Sequence, residues 1–278
     1  MTQNSHHPVI GFIGAGNMTR CLISGLIANE YPASHIWASN PSPEKLQYLQ
    51  HQFHVQTTND NTKVIEQASI IVLAVKPQTM QSVVKPLARI IQSKKPLIIS
   101  IAASITEAML RNWIGDVAIV RCMPNIPAFV GTGATGMYAN SHVSALQRDV
   151  AESVLRSVGI TLWVKDEKLI DTIAALSGSG PAYFFLVMEA LENAAVQLGL
   201  SKDDAHLLTL QTALGAARIA MSTDEPIVEL RQRVTSKGGM TEHAIAVLES
   251  MHLRDAFSKA LIAAHDRSSE VAKELSGA

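Results

Sequence analysis

Apolar positions along the chain follow two rhythms. Up to Val164 they come in short runs: Val9–Ile13, Ile36–Ser39, Ile70–Val75, Leu97–Ile101, Ala118–Cys122 and Thr135–Tyr138, most of them rich in Val and Ile. Amphipathic or turn-bounded stretches such as Ala15–Ala28, Pro43–Gln52 and Thr79–Ile91 lie between several of them. A strand followed by a helix, repeated, predicts a parallel sheet with helices on both faces. Thr161–Val164 reads as one last strand.

Beyond Val164 every periodic segment is long and helical: Lys168–Leu176, Pro181–Leu198, Lys202–Met221, Pro226–Val234, Thr241–Met251 and Arg254–Leu275. Pro181 and Pro226 stand where a first helical turn accepts proline. Gly199 stands where a helix ends, and Ser201 can cap the next one. The pattern predicts an α/β, doubly wound Rossmann-type domain over residues 1–164 and an all-helical domain over residues 165–278. Ala182–Leu200 is apolar on most sides, and helices of that kind bury against a partner chain.

Composition narrows the function classes. The chain has 278 residues, 47% hydrophobic and 17% charged, which supports a sizeable core and argues against disorder. Lys and Arg number 23 against 24 Asp and Glu, so no basic surplus points to nucleic acid. Cys21 and Cys122 stand far apart and match no metal-ligand spacing; they read as buried thiols of a reducing compartment, and no metal is expected. The start, MTQNSHHPVIGF, has no cationic region before its apolar run and does not read as a secretory leader. Glu189, Glu192, Asn193 and Gln197 within Ala182–Leu200 argue for a buried helix, not a membrane span. A cytoplasmic protein is the expectation.

The first strand runs into Gly14-Ala15-Gly16, a tight turn that lets backbone approach a pyrophosphate at a helix N-terminus. The third small position of that motif is Thr19, a departure expected to loosen helix–strand packing slightly. The second strand ends in IWASNPSPEK, with no carboxylate at Ser39, Asn40 or Ser42 to hold a ribose 2′-hydroxyl. Hydroxyls, an amide and nearby Lys45 can receive a 2′-phosphate instead; the same residues also read as a plain polar loop. The missing carboxylate favours NADPH over NADH.

A second stretch, VTSKGGMTEHAI (Val234–Ile245), is polar and runs straight into an apolar-periodic helix. Two readings stand. Ser236 or Thr241 caps the helix while the glycines turn the chain, or the helix start holds a small anion on its free N–H groups. No His–carboxylate pair stands out among ten histidines, and His243 reads as a helix-face residue. Ser177 and Ser179 lack a base partner and read as loop-shaping or capping residues near Pro181. Arg121 reads as a strand anchor, and Met18, Met188, Met221 and Met251 as core packing.

Taken together, GFIGAGNM, AVKP (Ala74–Pro77), RCMPNIPAFVGTGATG (Arg121–Gly136), LSGSGPAYFF (Leu176–Phe185) and VTSKGGMTEHAI resemble pyrroline-5-carboxylate reductases in order and distance, over nearly the whole chain. The resemblance implies a Rossmann domain with a helical dimerisation domain, in an interwoven homodimer or a ring of dimers. It implies the reduction of 1-pyrroline-5-carboxylate to L-proline by NADPH, the last step of proline biosynthesis. It places Ile13, Gly14, Ala15, Gly16, Asn17 and Met18 on the pyrophosphate side of the cofactor, Asn40 and Ser42 at its 2′-phosphate end and Asn61 at the adenosine. Ala74, Val75, Lys76 and Pro77, with Ser100, Ile101 and Ala102, line the nicotinamide side. Glu167 and Thr241 match substrate-contacting positions. On this reading the N–H groups of Gly239, Met240 and Thr241 receive the substrate carboxylate, Ser236 and Gly238 shape the loop, and the Thr241 hydroxyl meets the ring nitrogen or an oxygen. Asn125-Ile126-Pro127, Lys237 and Met240 depart from the usual family residues. Rival readings are another imine or short-chain oxo-acid reductase on the same plan, and a non-catalytic dinucleotide-binding redox sensor.

Overall fold

A computed structural model of the chain describes residues 7–276. The reading of the leader segment falls largely on residues 1–6, outside the described residues. Eight strands form one sheet: β1 (Ile10–Ile13), β2 (Ile36–Ser39), β3 (Gln56–Thr58), β4 (Ile70–Leu73), β5 (Leu97–Ser100), β6 (Ile119–Met123), β7 (Gly133–Ala139) and β8 (Gly159–Trp163), in the order β3-β2-β1-β4-β5-β6-β7-β8. Every neighbouring pair is parallel except β6 and β7. The wholly parallel sheet expected from the alternation is therefore corrected at β7. Only the short 3₁₀ turn Ile126–Val130 separates β6 from β7, and a parallel return needs a crossover of a dozen or more residues.

Helices α1 (Asn17–Ala28), α2 (Pro43–Phe53), α3 (Asn61–Gln67), α4 (Pro77–Val84), α5 (Ala88–Lys94), α6 (Glu107–Ile114) and α7 (Ala145–Arg156) fill the connections. Their starts are written locally. Pro43 and Pro77 open α2 and α4, Asp60 and Thr106 accept N–H bonds at the heads of α3 and α6, and Ser144 with Gln147 forms a capping box before α7. Side chains of a strand alternate between faces. Ile10, Phe12, Ile70, Val72, Leu97 and Ile99 join one buried cluster; Ile13, Ile71, Leu73, Ile98 and Ile119 join the other. Both faces are covered, which is why the strands are apolar without alternation.

The chain divides into two compact units, residues 7–179 with 264–276 and residues 180–263. The second carries α9 (Gly180–Gln197), α10 (Lys202–Met221), α11 (Ile227–Arg233), α12 (Met240–Ser250) and the first part of α13 (Leu253–Ser276). Between α9 and α10, Gly199 takes φ +102° and Ser201 caps α10, as the sequence predicts. Pro181 is the second residue of α9, where a first helical turn accepts proline, as expected. The short α8 (Leu169–Ile173) passes through one π turn, Ala174–Gly178, into α9, giving one continuous helix from Leu169 to Gln197. Ser179 donates its N–H back to Ala174 across the wide turn. A π turn of this kind accommodates a proline that supplies no N–H and clashes with the preceding turn.

Residues 169–197 are long and apolar enough, by length and composition, to cross a membrane. The buried helix expected at Ala182–Leu200 is corrected for the single chain: Phe184, Phe185, Leu186 and Leu191 are all more than half exposed. The same holds for Met221 and Met251, which the sequence assigns to the core; they are 83% and 75% exposed. The second unit cannot cover its own apolar surface, because few layers of helix lie within it.

Candidate active site

The glycine turn is held from three sides. Gly14 takes φ +109°, and a Cβ there would lie 2.5 Å from the Ala74 carbonyl oxygen, so only glycine fits. Gly14 donates its N–H to the Ser39 carbonyl (2.9 Å), and Ala74 donates to the Ile13 carbonyl (2.9 Å). Thr19 is fully buried, and its hydroxyl donates to the Gly14 carbonyl at 2.7 Å. The packing loss expected at Thr19 is corrected: the hydroxyl satisfies a turn carbonyl that a smaller residue would leave open. A Cβ at Gly16, by contrast, would meet nothing within 4 Å. The head of α1 has no capping side chain and no acidic residue in its first turn. Open space over free N–H groups at a positive helix end fits a pyrophosphate.

The register places Ile13, Ser39, Leu73 and Ser100 in one row at the carboxyl ends of β1, β2, β4 and β5. The strand order reverses between β1 and β4, where open α/β sheets bind nucleotides. The first unit thus brings together Ile13, Gly14, Ala15, Asn40, Asn61, Ala74 and Ser100, while Ser42 precedes α2 and Pro77 opens α4. Asn40 accepts the Ala15 N–H through its Oδ1 (3.2 Å), tying the second strand's end to the glycine turn. Ser39 donates its hydroxyl to Asn61 Oδ1 (2.6 Å), which fixes the start of α3 against β2. No carboxylate stands in the run Ser39–Ser42. Ser100 is fully buried, and its hydroxyl has no partner.

Arg121 anchors a strand, as its sequence position indicates, and is the largest fully buried side chain. Its guanidinium donates to Glu167 (3.1 Å) and Asp171 (3.0 Å). Glu167 also accepts the Glu107 N–H (2.7 Å), and Asp171 accepts from the Ser268 hydroxyl (3.1 Å). Burial and then the nearby carboxylates Glu167, Glu107 and Asp166 push the Tyr138 hydroxyl pKa above its ordinary value, so it stays a neutral phenol. Asn125 is a further buried polar residue whose importance the sequence does not reveal. It accepts the Ala134 N–H (2.8 Å) and donates to the Ser177 carbonyl (3.0 Å), locking the turn after β6 to the π turn.

Of the substrate candidates, Glu167 lies in the first unit; Ser236, Gly238, Gly239, Met240 and Thr241 lie in the second. Gly239 is the residue before α12, and no side chain caps the helix, so neither Ser236 nor Thr241 is a cap. Gly238 takes φ +71°, and its N–H goes to the Glu242 carboxylate (2.6 Å). Gly239 donates its N–H to the Ser236 carbonyl (3.0 Å), which corrects its expected role as a free donor. A Cβ at Gly239 would lie 2.4 Å from Ser236 Oγ and 3.0 Å from the Ser236 carbonyl oxygen, so a larger residue would have to turn the serine side chain aside. Among the described residues no acceptor takes the N–H groups of Met240 and Thr241, and both side chains are exposed. His243 lies exposed on α12, as expected of a helix-face residue.

Two family models match the chain. One, pyrroline-5-carboxylate reductase dimerisation, covers residues 167–271; the other, NADP oxidoreductase coenzyme F420-dependent, covers residues 9–104. The pyrroline-5-carboxylate reductase of Pseudomonas aeruginosa is 47% identical over 269 residues, spanning 96% of this chain and 98% of that protein. A solved pyrroline-5-carboxylate reductase from Coxiella burnetii superposes with a TM-score of 0.91 at 50% identity, covering 97% of this chain and 99% of its own. The Plasmodium falciparum enzyme, solved with NADP bound, superposes with a TM-score of 0.85 at 29% identity, covering 95% and 98%. With the glycine turn, the row of strand ends and the uncapped head of α12 all in place, this likeness across both units identifies the chain as a member of the pyrroline-5-carboxylate reductase family.

Proposed function

We propose that this protein reduces 1-pyrroline-5-carboxylate to L-proline, with NADPH preferred over NADH, and works as a homodimer. The observation that carries the reading is the pair of anion-receptive helix heads: α1 over an open glycine turn and α12 over a glycine pair, neither capped by a side chain. The family likeness supplies the reaction class.

When bound, NADPH supplies a hydride to the C=N carbon. Gly14, Ala15 and Gly16, with the head of α1, would hold its pyrophosphate. Asn40 and Ser42 would face its 2′-phosphate, where a carboxylate would repel it. Ser100, whose hydroxyl is unpartnered, would orient the nicotinamide side with Ala102 and the Ala74–Pro77 turn. The N–H groups of Met240 and Thr241 would take the substrate carboxylate, and the Thr241 hydroxyl the ring nitrogen. The substrate imine arrives protonated. As hydride reaches carbon, the C=N π pair moves onto nitrogen, which keeps its proton, so no strong general acid is required. The chain's part is to position and to exclude water; the His206–Glu192 and His265–Asp266 pairs are exposed on the helices and take no part in the proposed site. Glu167 would act through Arg121 and Tyr138 on the walls of the site.

Exposed Phe184, Phe185, Leu186 and Leu191 support an interface between copies in the region that the dimerisation model matches. The reading is tested by following NADPH absorbance with purified protein and 1-pyrroline-5-carboxylate beside an open-chain oxo acid. Oxidation with the cyclic imine alone is expected. Turnover of the oxo acid alone selects the rival reductase, and no turnover with either selects the sensor.

A further inference from the structure

A cavity of about 390 Å³ lies in the first unit beside the glycine turn. One wall is a single face of α1, carrying Asn17, Arg20 and Ser24; opposite stand Tyr48 and Phe53 of α2 and Phe129 after β6. Of the cofactor candidates only Asn17 touches it. The rest of the proposed NADPH groove lies elsewhere: Gly14, Asn40, Ser42, Asn61, Ala74–Pro77 and Ser100–Ala102 do not line this space.

Arg20 is the one charged residue of the lining. Its guanidinium carbon stands 4.2 Å over the Tyr48 ring, and its Nε is buried without a partner. Among the described residues no carboxylate pairs with it. A guanidinium stacked on a ring is fixed in orientation, and its two terminal nitrogens carry N–H groups at the spacing of two carboxylate oxygens. The Ser24 hydroxyl shares the wall, and the positive end of α1 adds to the field. Burial pushes the Cys21 thiol up, so this lining residue contributes no negative charge. Phe53, Phe129 and Ala128 make the remaining wall apolar. The volume is at the small end for ligand pockets, room for about one ring and its substituent.

We propose that this cavity is a second small-molecule site, separate from the cofactor groove, which binds a small monocarboxylate carrying an apolar ring on the edge of Arg20. The carboxylate meets the terminal N–H groups of Arg20; the ring lies among Phe53, Phe129 and Tyr48. This assignment does not depend on the reaction proposed above, because no residue of the reacting centre takes part in it.

Calorimetry on the whole purified protein tests it, with benzoate as probe, benzamide as its neutral counterpart and inorganic phosphate as a ringless anion. Benzoate should bind once per chain, with benzamide and phosphate each at least about tenfold weaker. Arg20→Gln should weaken benzoate at least about tenfold, and Arg20→Lys, which keeps charge but loses the fork, by an intermediate factor. Because α1 and Asn17 border both sites, saturating NADP is allowed to shift the benzoate affinity, but the two ligands should bind at the same time. No benzoate binding at millimolar concentration overturns the proposal. So does phosphate binding as tightly as benzoate, equal affinity in Arg20→Gln that retains its melting temperature, or displacement of benzoate by NADP. If Arg20→Gln does not fold, Ser24→Ala and Arg20→Lys carry the same comparison.

Discussion

Replacing Arg121 by methionine tests whether the buried ion cluster organises the first unit. The side chain is 2% exposed and donates to Glu167 at 3.1 Å and Asp171 at 3.0 Å. A hydrogen bond to a charged group contributes roughly 1.5–3 kcal/mol, so the two together contribute about 3–6 kcal/mol before relaxation. Three features lower that figure. The acidic side chains are 22% and 15% exposed, so water reaches them. Each keeps another donor, the Glu107 N–H and the Ser268 hydroxyl. Methionine also fills most of the volume and removes the orphaned Nε of Arg121. The expected loss is about 3 kcal/mol, the low end for breaking a buried pair. Urea unfolding followed by circular dichroism measures it, at one fixed protomer concentration because assembly shifts the midpoint. The combined variant Arg121→Met, Glu167→Gln, Asp171→Asn should recover at least about half, since no uncompensated charge remains. A loss below about 1 kcal/mol for Arg121→Met alone, the scale of an exposed pair, would refute the reasoning.

Other expectations follow from the two helix heads. Wild-type kcat/KM should be higher with NADPH than with NADH, and Asn40→Asp should shift preference toward NADH; steady-state kinetics with both cofactors decide, and a wild-type preference for NADH contradicts the reading of β2. Thr241→Ala should leave the melting temperature and NADPH affinity nearly unchanged while lowering kcat/KM roughly ten- to a hundredfold, the effect of one bond to a charged ligand of about 1.5–3 kcal/mol. Normal kcat/KM with lower stability would make Thr241 structural. Gly14→Ala forces a left-handed residue, at about 1–2 kcal/mol, against the Ala74 carbonyl 2.5 Å away. It should lower both the melting temperature and NADPH affinity, and unaltered binding would sink the glycine-turn assignment. Light scattering at micromolar concentration should show dimers or larger and no monomer, whereas a stable active monomer would leave the exposed α9 surface unexplained.

Much of this architecture was legible because burial on both sheet faces forces apolar runs. β2 is found where IWAS predicts it, and β1, β4 and β5 within two residues of their expected bounds. β3, Gln56-Thr57-Thr58, is an edge strand with no apolar run and so carries no strand signal in the sequence. α3 and α6 are seven and eight residues long, too short for a clear period. α7 carries a legible start signal in the Ser144–Gln147 capping box, but its exposed polar positions blur the period that follows. The π turn was not legible, since Pro181 reads equally as a first-turn proline. At the candidate site the glycine turn and the carboxylate-free β2 end could be read from residue type. Thr19, Arg20 and Asn125 could not, because their roles depend on which polar groups the fold leaves unsatisfied. Exposure of α9 likewise reflects what one chain lacks, which an apolar sequence does not distinguish from burial within it.

The central claim is the conversion of a cyclic imine to a chiral amino acid by hydride from NADPH. Purified protein incubated with 1-pyrroline-5-carboxylate and NADPH, with L- and D-proline resolved by chiral chromatography beside the absorbance trace, tests it most directly. The account predicts one L-proline formed per NADPH oxidised; NADPH oxidation without proline, or no oxidation by folded dimer, contradicts it.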